Sequence, residues 1–201
     1  PPPPVVPAED RAPGDIPPVV AARHPRLLFT PEELPARRER ARTVSAADFA
    51  ALEDYLPASR PPDHKNYLTD ATDGQRQGLW RLPTVALHYA LTDNRESFAH
   101  ARRFLEVLAG DEHWETGEEE DSGMSSANLM IGFAIGYDLL WNDLEPDLRE
   151  RFRAKLLLMA RRQYYRGHLA KARGTHYWQN DPGNNHRWHR NGGLALAVCA
   201  I

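Results

Sequence analysis

The segment Ser125-Ser-Ala-Asn-Leu-Met-Ile-Gly-Phe-Ala-Ile-Gly-Tyr-Asp-Leu-Leu140 decides the fold, because it is apolar almost all round over the length of a helix. A helix without a polar face is buried on both sides, so we expect this one at the centre of the structure. The sequence around it has helical periodicity and no convincing strand-type alternation, with apolar faces at Leu79, Leu82, Val85, Ala86 and Tyr89, at Phe98, Ala101, Leu105 and Leu108, and at Leu148, Phe152, Leu156 and Met159. The chain is therefore predicted to be all-α, with helical hairpins arranged as a ring; a plain antiparallel bundle would share the same local signals.

Start and stop signals mark the other elements. Thr30 as N-cap and Pro31 at the first helical position predict a helix start, and a second short helix is predicted from Ala46 to Tyr55. A turn is predicted at residues 92–94, and loops at 57–75 and 110–121, the latter with an acidic run (118–121) that we expect to be solvated. Residues 1–23 are Pro-rich without helical periodicity, which predicts an extended arm or linker before a folded unit of residues 24–201.

Composition and the chain ends bound the class of protein. The 201 residues include 41% hydrophobic residues, enough for a core, and carry a net charge of -3, which argues against nucleic-acid binding. No apolar run approaches the ~20 residues of a membrane span, and the chain shows no signal peptide. The single Cys199 lies in an apolar run, so we expect a buried structural thiol. Residues 193–201 read as the first turns of an apolar helix without a stop signal, so we expect the N-terminal part of a longer protein.

The segment Thr175-His-Tyr-Trp-Gln-Asn-Asp-Pro-Gly-Asn-Asn-His-Arg-Trp-His-Arg-Asn-Gly-Gly-Leu194 carries the functional signal. Histidines and amides beside flat aromatic side chains are what a carbohydrate site requires, and such groups sit usefully on a loop held by a helix. Its three histidines, His176, His186 and His189, also suggest a zinc site as an alternative. No acidic or Cys ligand accompanies them at a usual motif spacing, so no metal site is predicted.

Three stretches resemble one known family. His24-Pro-Arg-Leu-Leu-Phe-Thr-Pro-Glu-Glu-Leu34 resembles the opening segment of heparinase II/III-like polysaccharide lyases and of the related dermatan-sulfate-epimerase-like proteins. Ser126-Ala-Asn-Leu-Met-Ile-Gly-Phe-Ala-Ile-Gly-Tyr-Asp-Leu-Leu-Trp141 is similar to an inner helix of their toroid. Asn184-Asn-His186, leading to Asn191-Gly-Gly-Leu-Ala-Leu196, resembles their active-site loop and the helix after it. Together these matches span most of residues 24–201.

The resemblance implies an incomplete (α/α) toroid, followed in the family by a β-sandwich domain that this chain lacks. It implies β-elimination at a uronic acid, with abstraction of the C5 proton and a 4,5-unsaturated product, or C5 epimerisation through the same carbanion. By match, Asn185 and His186 are the catalytic residues. A catalytic Tyr, a second His and any structural metal would lie beyond Ile201, so we expect this fragment to be inactive alone and to hold no cofactor. The resemblance and the size of the substrate imply a secreted or periplasmic protein.

The chemistry of elimination assigns roles to these residue types. The substrate carboxylate must be neutralised, and a neutral amide such as Asn184 or Asn185 can donate to it; either could instead form a turn or N-cap after Pro182-Gly183. His186 can act as a base or, when protonated, as a carboxylate partner. Further substrate-binding candidates are arginines for carboxylate or sulfate, a neighbouring histidine and stacking aromatics, each with a packing or solvated alternative: Arg187, Arg190, His189, Trp188, Tyr177 and Trp178.

Four functions compete for this pattern. A polysaccharide lyase acting on an anionic, uronate-containing glycan is our preferred prediction, and a C5-epimerase of the same fold is the first alternative. A hydrolase would need two carboxylic acids facing one sugar bond, and the loop offers only Asp181. A glycan-binding toroid without catalysis would need only the aromatics. The sequence leaves open the glycan (alginate, heparin-like, chondroitin or dermatan type, or bacterial exopolysaccharide), endo or exo action, and the oligomeric state.

Overall fold

The protein is all-helical over the residues that the computed structural model describes, which are 23–56, 76–116, 121–169, 178 and 181–201. Two short helices come first, α1 (Leu34–Arg42) and α2 (Ala46–Tyr55). A π-helical segment (Arg76–Arg81) leads into α3 (Leu82–Thr92), which is followed by α4 (Arg95–Gly110) and α5 (Met124–Leu140). A 3-10 turn (Trp141–Asp143) precedes α6 (Pro146–Tyr164), which continues as a π-helical segment (Tyr165–Leu169); α7 (Asn185–Ala200) is last. The predicted arm (1–23) and the predicted loop at 57–75 lie outside the described residues, apart from Arg23.

The helix predicted to be central, α5, is the buried centre of the described structure. Of its 17 residues, 14 are buried, and it packs against α3, α4, α6 and α7. No helix in the described ranges combines the length and the apolar character that a membrane crossing needs.

Glycines allow the helix backbones around the first half of α5 to touch. A Cβ atom on Gly132 would lie 2.1 Å from the carbonyl oxygen of Gly78, and one on Gly78 would lie 2.0 Å from that of Asn128. On α7, a Cβ on Gly193 would lie 2.8 Å from the carbonyl oxygen of Ala127. A side chain at any of these positions would separate the helices, so glycine fixes how closely α7 lies against α5.

Asp138 of α5 anchors residues 24–34, which we call the opening segment. Its carboxylate accepts hydrogen bonds from the backbone N–H groups of Arg26 (3.0 and 2.9 Å) and Leu27 (2.9 Å) and contacts His24 Nδ1 at 2.7 Å. The His24 ring stacks on Trp141 with 4.6 Å between centroids, and Asn142 donates to the His24 carbonyl at 2.7 Å. His24 therefore has a structural role: it attaches the opening segment to the C-terminal end of α5.

Local signals placed most helix ends correctly, with one exception. The predicted helix Ala46–Tyr55 is confirmed, and in the predicted turn Asp93 has a positive φ of 59° while Asn94 caps α4 through Ser97 N–H at 3.0 Å. The start predicted at Pro31 is wrong, because α1 begins at Leu34. Thr30 and Glu33 form a single turn first: Glu33 N–H donates to the Thr30 carbonyl at 3.1 Å, and Thr30 N–H donates to the Glu33 carboxylate at 2.9 Å.

The acidic loop after α4 is not solvated throughout. Asp121 is buried, and its carboxylate accepts hydrogen bonds from Trp114 N–H (2.6 Å), Glu115 N–H (3.2 Å) and Arg162 Nη1 (2.7 Å). An arginine and two backbone amides thus replace water around this acid, while residues 118–120 of the run lie outside the described part of the chain. The expectation for Cys199 was also wrong: it is exposed, on a face of α7 where Val198 is exposed too.

Candidate functional site

The candidate site is the start of α7, which a turn at Asp181 and Asn184 sets up. Gly183 N–H donates to the Asp181 carboxylate at 2.9 Å, and Asn184 N–H donates to the Asp181 carbonyl at 3.1 Å. Asn184 has an extended backbone and is the N-cap, because its side-chain oxygen accepts the His186 N–H at 2.9 Å. The oxygen of Asn184 therefore has a structural role, and only its amide nitrogen is left for the predicted contact with substrate.

Asn185 and His186 occupy the first turn of the helix. The Asn185 side chain is exposed and His186 is half-buried. The dipole of a helix start favours an anionic ligand. The two predicted catalytic residues are thus adjacent, in a place that suits a carboxylate.

His186 has a cationic partner one turn further along α7. Arg190 Nη2 lies 3.1 Å from His186 Nδ1. The Arg190 guanidinium is buried and lies 4.9 Å from the centre of the Trp178 ring. Trp178 is buried as well, and it packs so closely on Gly167 that a Cβ there would lie 3.2 Å from the indole.

Burial corrects two of the predicted substrate contacts. Arg190 and Trp178 are each only 1% exposed, so neither presents a surface to a sugar. The cause is their mutual stacking below the first turn of α7, with Gly167 allowing the close approach. Both residues support the site from beneath instead of lining it.

Trp188 presents the aromatic surface that sequence reasoning expected. Its side chain is 64% exposed, and its indole nitrogen donates to the Pro182 carbonyl at 2.8 Å. Arg187, half-buried, lies 5.9 Å from the centre of the same ring. The hydrogen bond holds one edge of the indole against the turn, which leaves ring surface for stacking on a sugar.

The charge of this region is positive. Within residues 181–201 the acidic side chain is Asp181, against the arginines Arg187 and Arg190. Such a local excess favours an anionic ligand although the whole chain is acidic. His189 is half-buried on the same helix, and Tyr177 and His176 lie outside the described residues.

Metal binding finds no support in the described ranges, where no group of three His, Cys, Asp or Glu side chains is placed to hold an ion. A separate cavity of about 450 Å³ lies between the opening segment, α1, α2 and α3. Its walls are mainly apolar side chains such as Phe29, Phe49 and Leu87, with Arg37 and Asp48 among the polar ones. Among the described residues, its lining includes no histidine or side-chain amide of the kind that acid–base chemistry on a sugar requires.

Sequence reasoning missed two features of the site. The contact of His186 with Arg190 could have been found from their spacing of four residues once the helix start was fixed. The role of Gly167 depends on Trp178 and could not be found locally. No model of a known protein family matches the chain, so the assignment of an activity rests on the residues themselves.

Proposed function

We propose that this chain carries part of the active site of a polysaccharide lyase, which cleaves a uronic-acid-containing glycan by β-elimination. The observation that carries the proposal is the start of α7. There an exposed amide (Asn185), a half-buried histidine (His186), an arginine (Arg187) and an exposed indole (Trp188) follow one another beside a helix N-terminus. These are the groups that bind and activate an anionic sugar.

The proposed reaction divides among these groups. A base takes the C5 proton, the C–H electrons form the C4=C5 double bond, and O4 departs with a proton from an acid. Asn185 donates to the substrate carboxylate as negative charge builds on it, and Arg187 pairs with the same group or with a sulfate. His186 is either the base or a second carboxylate partner, Trp188 stacks on a sugar ring, and His189 and the Asn184 amide nitrogen contact the glycan.

The contacts between helices support a toroid as the finer architecture. The helices α3, α5 and α7 pack side by side, while α4 and α6 pack against them in a second layer. The connection from α3 to α4 is the short turn at Asp93 and Asn94, and that from α5 to α6 is the stretch 141–145. Two layers of successive hairpins are the pattern of an (α/α) ring, and the exposed Val198 on α7 fits a face where a further hairpin packs.

A screen of the natural full-length protein tests the proposal. Incubated with alginate, heparin-like and chondroitin-type polysaccharides, it should raise the ultraviolet absorbance of 4,5-unsaturated uronate ends, with His186→Ala as the inactive control. No rise on any of these glycans, with solvent deuterium incorporated at C5, would replace the lyase by an epimerase. If neither the absorbance rise nor the deuterium incorporation appeared, the remaining alternative would be a glycan-binding toroid without catalysis. Because polymeric glycans lie outside the cytoplasm, we also propose a secreted or periplasmic protein that needs no cofactor in this part of the chain.

A further inference from the structure

We propose that Arg190 is a positioning residue, which holds the His186 imidazole in the neutral form that carries its hydrogen on Nε2. The proposal starts from the 3.1 Å contact between Arg190 Nη2 and His186 Nδ1. The two residues are four positions apart on α7, so the helix itself brings their side chains together.

The chemistry of the two groups fixes the direction of this hydrogen bond. A guanidinium has five N–H donors and no acceptor, and it stays protonated in proteins. His186 Nδ1 must therefore accept, which requires a lone pair on that nitrogen. The imidazolium and the tautomer with hydrogen on Nδ1 have no such lone pair, so the remaining form is the one with hydrogen on Nε2.

Arg190 is held firmly enough to impose this choice. Its side chain is buried, and the guanidinium stacks on the Trp178 ring at 4.9 Å. The indole in turn rests on Gly167, where a Cβ would lie 3.2 Å from the ring and would require it to shift. The guanidinium cannot move off His186 without disturbing this buried stack.

The consequence for His186 rests on the proposed function. A ring with hydrogen on Nε2 can only donate from that nitrogen, because Nε2 then has no lone pair for the C5 proton. His186 then belongs with Asn185 on the carboxylate, and the group that takes the C5 proton is a different residue. Arg190 thereby decides between the two roles that are chemically open to this histidine.

The tautomer can be read directly by nuclear magnetic resonance on the 15N-labelled chain at about pH 8, where an ordinary histidine is neutral. We expect the His186 signals, assigned from their loss in His186→Gln, to show hydrogen on Nε2 and none on Nδ1. In Arg190→Met, which keeps an unbranched apolar stem beside Trp178, the two nitrogens should become averaged. Arg187→Met removes a neighbouring arginine, at 5.9 Å from Trp188, and should leave the wild-type pattern.

Hydrogen on Nδ1 in the wild-type chain would overturn the proposal, and so would an unchanged pattern in folded Arg190→Met. If Arg190→Met does not fold, Arg190→Lys replaces it: a shifted Nδ1 signal supports the contact, and an unshifted one overturns it. These spectra need no substrate. A failed tautomer test would leave the lyase standing with His186 as its base, and a failed glycan screen would leave the tautomer result untouched.

Discussion

Two regions of this molecule begin with similar side chains and use them in opposite ways. In the opening segment, His24 is buried, and Asp138 binds its ring together with the backbone N–H groups of Arg26 and Leu27. At the start of α7, His186 is half-buried, its partner is the cation Arg190, and exposed Asn185 and Trp188 flank it. Both stretches carried the family resemblance, yet the first is explained by folding and the second has groups left for a ligand.

The two stretches show that a histidine in a family-like motif can serve either folding or ligand binding, depending on its partners. A histidine whose carboxylate partner also binds the backbone secures the chain, because that carboxylate accepts its hydrogen bonds from groups inside the protein. The histidine at the start of α7 contacts a cation instead of a carboxylate and lies beside exposed polar and aromatic side chains, which is the arrangement that the proposed function requires. Mutation separates the two kinds of site, because a change at the first should lower stability and a change at the second should lower turnover.

The largest effect should follow from His186→Ala. We expect turnover of a uronate glycan by the natural full-length protein to fall by about 10²–10³-fold, as for the loss of one donor to a developing negative charge, with the free energy of unfolding changed by less than about 1 kcal/mol, since His186 is only half-buried. His186→Asn sharpens the comparison, because an amide can donate to a carboxylate and cannot act as the base. It should therefore retain more turnover than His186→Ala; equal losses would favour His186 as the base.

Asp138→Ala should produce the reverse result. It leaves a buried histidine and the N–H groups of Arg26 and Leu27 without their acceptor, which costs about 3–5 kcal/mol of unfolding free energy. Urea denaturation measures the loss, and Asp147→Ala on the exposed first turn of α6 is the control, with a change within about 0.5 kcal/mol. A stable Asp138→Ala protein would mean that the opening segment is not anchored by this carboxylate.

Adjacent glycines on α7 offer a smaller and closely controlled effect. Gly193→Ala places a Cβ 2.8 Å from the Ala127 carbonyl oxygen, whereas a Cβ on Gly192 meets nothing within 4 Å. We expect Gly193→Ala to destabilise the protein by about 1–3 kcal/mol and Gly192→Ala to stabilise it by up to about 1 kcal/mol through helix propensity. Thermal unfolding of the two variants measures both changes, and equal shifts would contradict the close packing of α7 on α5.

Local chemistry predicted much of the fold and less of the site. The central α5, the helix Ala46–Tyr55 and the turn at Asp93 and Asn94 follow from periodicity and capping, which depend on neighbours in the sequence. The burial of Asp121 depends on Arg162, 41 residues away. The stack of Arg190 on Trp178 depends on Gly167 in the same way.

Those long-range contacts explain why residue type alone misassigned part of the site. An arginine and a tryptophan beside a histidine are also the residues expected to bind an acidic sugar, and nothing in their order along the chain shows which of them is buried. Asn184 illustrates the same limit at short range, because an N-cap and an amide that binds substrate need the same side chain. Only the position of α7 against its neighbours separates these roles.

Lys155 is a buried cationic residue that, like His24, is held by groups inside the protein. It is buried and donates to the backbone carbonyls of Asp111 and Glu112. Burial, and next the positive charge of Arg162, lower the pKa of Lys155 from 10.5 to about 8. Between these two values the folded protein binds fewer protons than the unfolded chain, so stability due to this group increases with pH across the window and is lost as pH falls through about 8.

The unfolding free energy of the wild-type protein should therefore rise relative to Lys155→Met between pH 7 and pH 10, by an amount on the order of 1–3 kcal/mol. Taking the difference between the two proteins cancels the other groups that titrate in this range. A constant difference would mean that Lys155 keeps its ordinary pKa and is solvated in the folded protein. A falling difference would mean that the ammonium is stabilised by its carbonyl and acidic neighbours more than burial penalises it, in which case this lysine, like Asp138, holds its loop in place as a charged group.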